Sequence, residues 1–126
     1  MKIQIRLIEF WELGDLPQHP DVRKNVMTFS KRAVYLGAFW HGVLVGVVGW
    51  IEYKNTIKLK AEFVFPLYRG KKIYARLCEE RHTILKKKDK TIFANCTTSA
   101  LPWHLRNGAV IIKEYKHPSY KIKYNE

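Results

Sequence analysis

Residues 63–77 read FVFPLYRGKKIYARL: an apolar run, a proline, the tetrad Arg69-Gly70-Lys71-Lys72, and the opening of an amphipathic helix. A strand stopped by proline, a glycine turn and a helix N-terminus together make a natural anion site. The first helical N–H groups have no partner inside the helix, and the helix dipole is positive at that end.

Working upstream, TIKLKAEFVF (56–65) reads as a strand that Pro66 ends, because proline has no N–H for a ladder. AVYLGAF (33–39) and VLVGVVGWIEY (43–53) flank Trp40-His41-Gly42, whose glycine can take the positive φ of a hairpin turn. With Lys54-Asn55 as a second turn, three consecutive antiparallel strands are expected. KIQIRLI (2–8) alternates as a strand, and LGDLPQHP (13–20) has a turn-forming, exposed composition. DVRKNVMTFSKRA (21–33) reads as a helix with Asp21 as N-cap and Val22, Val26 and Phe29 on its apolar side.

Downstream, Ile73, Tyr74, Leu77, Cys78, Ile84 and Leu85 recur at helical spacing between Lys71 and Lys88, with Lys, Arg and Glu opposite them. TIFANC (91–96) is a strand, and SALPWHLRN (99–107) is a short helix ended by Gly108, with Thr98 and Ser99 as N-caps. AVIIKEY (109–115) and SYKIKY (119–124) close the chain as a strand pair. The predicted order is β-α-β-β-β-α-β-α-β-β, an α+β fold with a mixed, mostly antiparallel sheet. A chain of 126 residues with 47% hydrophobic content is read as one domain, residues 1–126.

No apolar run approaches the roughly 20 residues that span a bilayer, and the charged residues of MKIQIRLIEFWELGD interrupt any signal-peptide core. An intracellular, cytoplasmic protein without membrane contact is expected. Cys78 and Cys96 lack metal-ligand spacing, so buried reduced thiols are predicted, with no disulfide and no metal. The formal charge is +12, and it is uneven: residues 1–21 hold two basic and four acidic side chains, while the remainder carries 21 basic against seven acidic. Such a field attracts nucleic acid, a nucleotide-bearing cofactor or an acidic partner. It also serves solubility alone.

On this order of elements and two motifs, the chain resembles the GCN5-related N-acetyltransferase (GNAT) superfamily over almost its whole length. Val64, Pro66 and Arg69 match a strand ending V-x-P followed by Arg/Gln-x-x-Gly-x-Gly/Ala, and Ala100 and Gly108 resemble its A-x-x-x-Y-x-x-x-G-F signature. The resemblance implies acetyl-CoA, or another acyl-CoA, as cofactor, held around Phe63, Val64, Arg69, Gly70, Lys71, Lys72, Ile73, Tyr74 and Ser99. Lys72 and Tyr74 stand where the family has glycine and glycine or alanine. These side chains either obstruct the pyrophosphate or, for Lys72, replace a backbone contact with charge.

The resemblance also places an acid, usually tyrosine, where this chain has His104, and often a base on the strand before V-x-P, where Glu62 is the only acidic residue. Alternation puts Lys60, Glu62 and Val64 on one face, and the more usual glutamate position holds Lys60. The implied reaction is attack of an amine on the thioester, with a homodimer built on the last strands. The alternatives are a basic nucleic-acid-binding protein on this fold, a phage Mom-like enzyme modifying a DNA base, or a binding module that has lost CoA. Of the other residues, His41 is expected exposed in its turn, His82 on the polar side of the long helix and His117 in a turn before Pro118. Trp103 is the tryptophan expected nearest a site.

Overall fold

The structure is a computed structural model that describes residues 2–24, 28–116 and 119–124. Val26 and the His117-Pro118 turn lie outside them. Seven strands form one sheet: β1 (Gln4–Ile8), β2 (Val34–Trp40), β3 (Val43–Glu52), β4 (Thr56–Val64), β5 (Thr91–Thr97), β6 (Ala109–Glu114) and β7 (Ser119–Tyr124). Their spatial order is β1-β2-β3-β4-β5-β7-β6. Among the described residues only β4 and β5 run parallel, joined through α2 (Ile73–Leu85); α1 (Pro20–Lys24) and α3 (Leu101–Arg106) are short. The mixed, mostly antiparallel α+β architecture is the expected one. The β2–β3 hairpin turns through His41 and Gly42, both at positive φ, which is the two-residue turn whose twist matches its strands.

Two apolar clusters lie on opposite faces of the sheet. One packs Leu36, Val48, Trp50, Ile57, Leu59 and Val64 against Ile73, Leu77, Cys78 and Leu85 of α2, and continues to Ile92, Ala94, Ile122 and Tyr124. The other packs Tyr35, Val47, Ala61 and Phe63 against Leu13, Leu16 and Val22. The segment 13–20 is therefore not an exposed turn. Two 3₁₀ turns, Phe10–Leu13 and Leu16–Gln18, bury Leu13 and Leu16 as a cover over β2–β4.

The helix expected over 21–33 is also shorter. It begins at Pro20, which puts Asp21 inside its first turn rather than at the cap, and residues 28–30 carry no helix. Phe29 instead packs beside the Tyr35 ring, 5.8 Å between centroids.

A break in β4 decides the site. Val47 is in register with Phe63 but Gly49 with Lys60, so β4 carries one extra residue, centred on Ala61 at φ 55. A bulge of this kind breaks alternation. Ile57, Leu59 and Val64 face α2, Ala61 and Phe63 face the other way, and Lys60 pairs with Gly49 on that second face. Lys60 and Glu62, expected on one face, are thus on opposite faces.

Candidate functional site

β4 and β5 are in register only from Thr56↔Thr91 to Lys58↔Phe93 and then diverge. The divergence opens a cleft of ≈ 710 Å³, lined by β4 from Lys58 to Val64, by Arg69 and Tyr74, by Ala94 to Thr97 of β5, and by Ser99, Ala100 and Ser119. Such a gap leaves the facing backbone edges of two strands available to a bound chain.

At one end lies the loop 65–72. Phe65 N–H is bonded to Val45 O at 3.0 Å, Pro66–Tyr68 makes a 3₁₀ turn, and Gly70 (φ 77) and Lys72 (φ 65) both take left-handed backbone before α2 starts. Lys72, where the sequence resemblance expects glycine, is a non-glycine residue in αL, a conformation that costs roughly 1–2 kcal/mol. Arg69 is held against the end of β4: Nε donates to Val64 O at 2.8 Å, its guanidinium lies over the Phe63 ring, and Nη2 is 3.7 Å from Asp21 Oδ2. Of the residues expected to hold a cofactor, Phe63, Val64, Arg69, Tyr74 and Ser99 line the cleft, Gly70, Lys71 and Lys72 form the loop at its end, and Ile73 is buried in the core. Ser99 does not cap α3, whose N-cap is Ala100; its Oγ is 3.0 Å from Thr97 Oγ1.

At the floor, the structure brings Glu62 and His104 together. Glu62 Oε1 accepts from Tyr74 Oη at 2.9 Å and lies 3.2 Å from His104 Nε2, while Oε2 pairs with the Arg81 guanidinium. Tyr74 Oη is also 3.2 Å from His104 Nε2, and His104 Nδ1 is hydrogen-bonded to Tyr124 Oη. A neutral His104 with its proton on Nε2 satisfies the set, donating to Glu62 and accepting from Tyr124. His104 is fully buried and does not line the cleft; Tyr74 and Glu62 do.

Burial by itself would raise the Glu62 carboxyl, but the Arg81 charge and the bonds from His104 and Arg81 outweigh it and hold it at about 2. Burial and the Glu62 charge push the Tyr74 phenol far above its ordinary value, and burial pushes Tyr124 the same way. Burial carries the Cys78 thiol up to about 12 and Cys96 to about 11, so both are inert thiols. No disulfide joins them, and no group of three potential metal ligands occurs among the described residues.

Arg81 and Tyr124 escaped the sequence reading. Arg81 is 1% exposed, donates through Nη1 to Gly49 O at 3.2 Å, and has a buried Nε without a partner. Its position carried a signal: it stands four residues after Leu77 and four before Leu85, on the apolar stripe rather than the polar side. His82, expected on that polar side, is half-buried, its ring 5.9 Å from Trp103 and 4.7 Å from Tyr124. Trp103 stands behind the cluster, edge-on to Tyr74 at 6.3 Å.

No protein-family model and no curated protein sequence matches the chain. Solved structures do. Escherichia coli ElaA superimposes with TM-score 0.81 at 11% identity, covering 98% of this chain and 100% of its own. The PaiA N-acetyltransferase of Thermoplasma acidophilum, in complex with coenzyme A, gives 0.70 at 17% over the whole of both chains. An acetyltransferase of the GNAT family from Staphylococcus aureus gives 0.66 at 20%, covering 97% of this chain and 99% of its own. With the order of strands, the splay of β4 from β5 and the loop–helix that follows β4, these likenesses establish that the chain has the fold of the GCN5-related N-acetyltransferases.

Proposed function

We propose that the protein is an acyl-CoA-dependent N-acyltransferase, working in the cytoplasm, that moves an acetyl or related acyl group to an amine. The observation that carries this reading is the cleft between β4 and β5, with a left-handed loop and a helix N-terminus at one end and a polar cluster at its floor. The pyrophosphate of acyl-CoA would meet the loop, where Gly70 leaves backbone open and Lys71 and Lys72 supply charge at the N-terminus of α2. The acyl arm would run between Phe63–Val64 and Ser99, its thioester toward Tyr74.

In this reading the amine nitrogen attacks the thioester carbonyl carbon, a C–N bond forms, and the C–S bond breaks. One proton leaves the nitrogen as one reaches the departing sulfur. Tyr74 Oη, the hydroxyl of the cluster that faces the cleft, would hydrogen-bond the departing sulfur while the proton released by the amine reaches that sulfur through water. His104 Nε2, 3.2 Å behind it, would orient the hydroxyl, so the predicted acid acts through a tyrosine as a positioning residue. Glu62 was the candidate base. A carboxylate held at about 2 is too weak a base to take a proton from an ammonium group, and its bonds to Tyr74, His104 and Arg81 make it a positioning residue instead. The substrate amine would then arrive unprotonated or lose its proton to water. The homodimer on the last strands belongs to the same proposal.

The test is release of free CoA thiol from acetyl-CoA with a panel of amines, comparing wild type with Tyr74→Phe. Thiol release that depends on the amine and falls at least about 100-fold in the variant supports the reading. Release that never depends on an amine overturns it.

A further inference from the structure

We infer that the sheet face opposite α2 and α3, across β4, β5, β7 and β6, is a binding surface for single-stranded nucleic acid that leads into the cleft. The register sets two rows of side chains on this face. Lys58 pairs with Phe93 and Phe93 with Lys123; in the next row Asn95 pairs with Lys121 and Lys121 with Lys113. In-register partners point to one face about 5 Å apart, so each row places ammonium groups beside or across from one another. The alternate residues Ile57, Leu59, Ile92, Ala94, Ile122 and Tyr124 belong to the core under α2, which fixes which way the lysines point.

Among the described residues, nothing covers this half of the face. No residue of β5, β6 or β7 belongs to the apolar cluster that the N-terminal segment closes over β2–β4. Nor does an acidic side chain of these four strands oppose the lysines. Glu62 is turned toward α2, and Glu114 is in register with Tyr120, which packs on the core side. A like-charged row of this kind is costly to a sheet unless something anionic lies across it.

Aromatic rings decide the kind of polyanion. Phe93 lies in the floor under the Lys121 ammonium, 5.5 Å from the ring centre, and Tyr115 lies under Lys113 at 5.1 Å. Tyr53 and Tyr115 are 43% and 38% exposed. Together with Lys58 and Lys121 these rings line a hollow of ≈ 260 Å³. An acidic protein segment needs charge alone, whereas unpaired bases also need flat rings to stack on, each worth a measurable part of the affinity. A duplex would keep its bases from the rings. The hollow and the acyl cleft share Lys58, Ala94 and Asn95, so a strand lying on the lysine rows passes the cleft mouth.

The experiment is fluorescence polarisation of a fluorescein-labelled, mixed-sequence single-stranded oligonucleotide of about 15 nucleotides, without any CoA compound, at two salt concentrations. Its outcome is therefore independent of the acyl-transfer reading. The expected result is salt-sensitive binding that weakens roughly tenfold or more in Lys121→Glu/Lys123→Glu and roughly fivefold or more in Tyr53→Ala/Tyr115→Ala. Lys86→Glu/Lys87→Glu, the same charge change at the exposed end of α2, should cost no more than roughly threefold. Thermal melting of each variant confirms that it is folded. Equal losses in the two lysine variants, equal competition by poly-glutamate or by duplex of the same length, or no binding at low salt would each overturn the inference.

Discussion

The two ends of the cleft are built on different terms. At the loop end, backbone conformation makes the site: Gly70 and Lys72 hold positive φ before α2, even though Lys72 is not a glycine. At the floor, the backbone is unremarkable apart from the Ala61 bulge, and side chains do everything: Glu62, Arg81, Tyr74, His104 and Tyr124 are linked in one hydrogen-bonded set. A backbone site tolerates substitution at the cost of local strain. A buried ionic site does not, because each member left alone is an unpaired charge or polar group in the core.

That contrast predicts a descending series of effects. Arg81→Leu should be the most damaging, leaving the Glu62 carboxylate buried without its cation and costing roughly 3–5 kcal/mol in a denaturation experiment, while Glu62→Leu/Arg81→Leu should recover much of that loss. If the double variant is no better than the single one, the floor is held by packing and not by the ion pair.

Of the two ends of the cleft, acid should act on the floor. The folded Glu62 carboxyl at about 2 lies below its ordinary value of 4.5, so its stabilisation is complete above pH 4.5 and is lost as pH falls from there toward 2. At about 1.4 kcal/mol per pKa unit the loss is about 3 kcal/mol. Denaturant midpoints followed down this range should show it in wild type and lack it in Glu62→Gln.

Tyr74→Phe removes the hydroxyl between Glu62 and the cleft. Acyl transfer should fall at least about 100-fold, with acetyl-CoA affinity within about threefold of wild type. A parallel loss of affinity would place the hydroxyl in cofactor binding. The loop end should respond least. Lys72→Gly should be more stable than Lys72→Ala by about 1 kcal/mol, because only glycine is free of strain at φ 65. Equal stabilities would mean the loop does not need that conformation.

The sequence carried the framework of the loop end and little of the floor. Period-two alternation, Gly42, Pro66 and the stripe from Ile73 to Leu85 are local signals, and the strands and α2 lie where those signals put them. The expected helix over 21–33 is present at Val22, inside α1, but not at Phe29, whose apolar side chain suited a helix and packs against the Tyr35 ring instead. Lys60 was placed on the wrong face because the bulge depends on a positive φ at an ordinary alanine, which no local pattern marks. Glu62 and His104 were named from the family motifs, and the structure sets them 3.2 Å apart. Arg81 was read as surface charge because its partner is 19 residues away in sequence, and pairings at that range are fixed by topology, not by pattern.

Whether the loop holds acyl-CoA is measured by calorimetric titration with acetyl-CoA at moderate salt, on wild type and on Lys71→Glu/Lys72→Glu, which reverses charge at the loop without touching the floor. One acetyl-CoA should bind per chain, with affinity falling at least roughly tenfold in the charge-reversed protein. No heat of binding to wild type, or equal binding to both proteins, would contradict it.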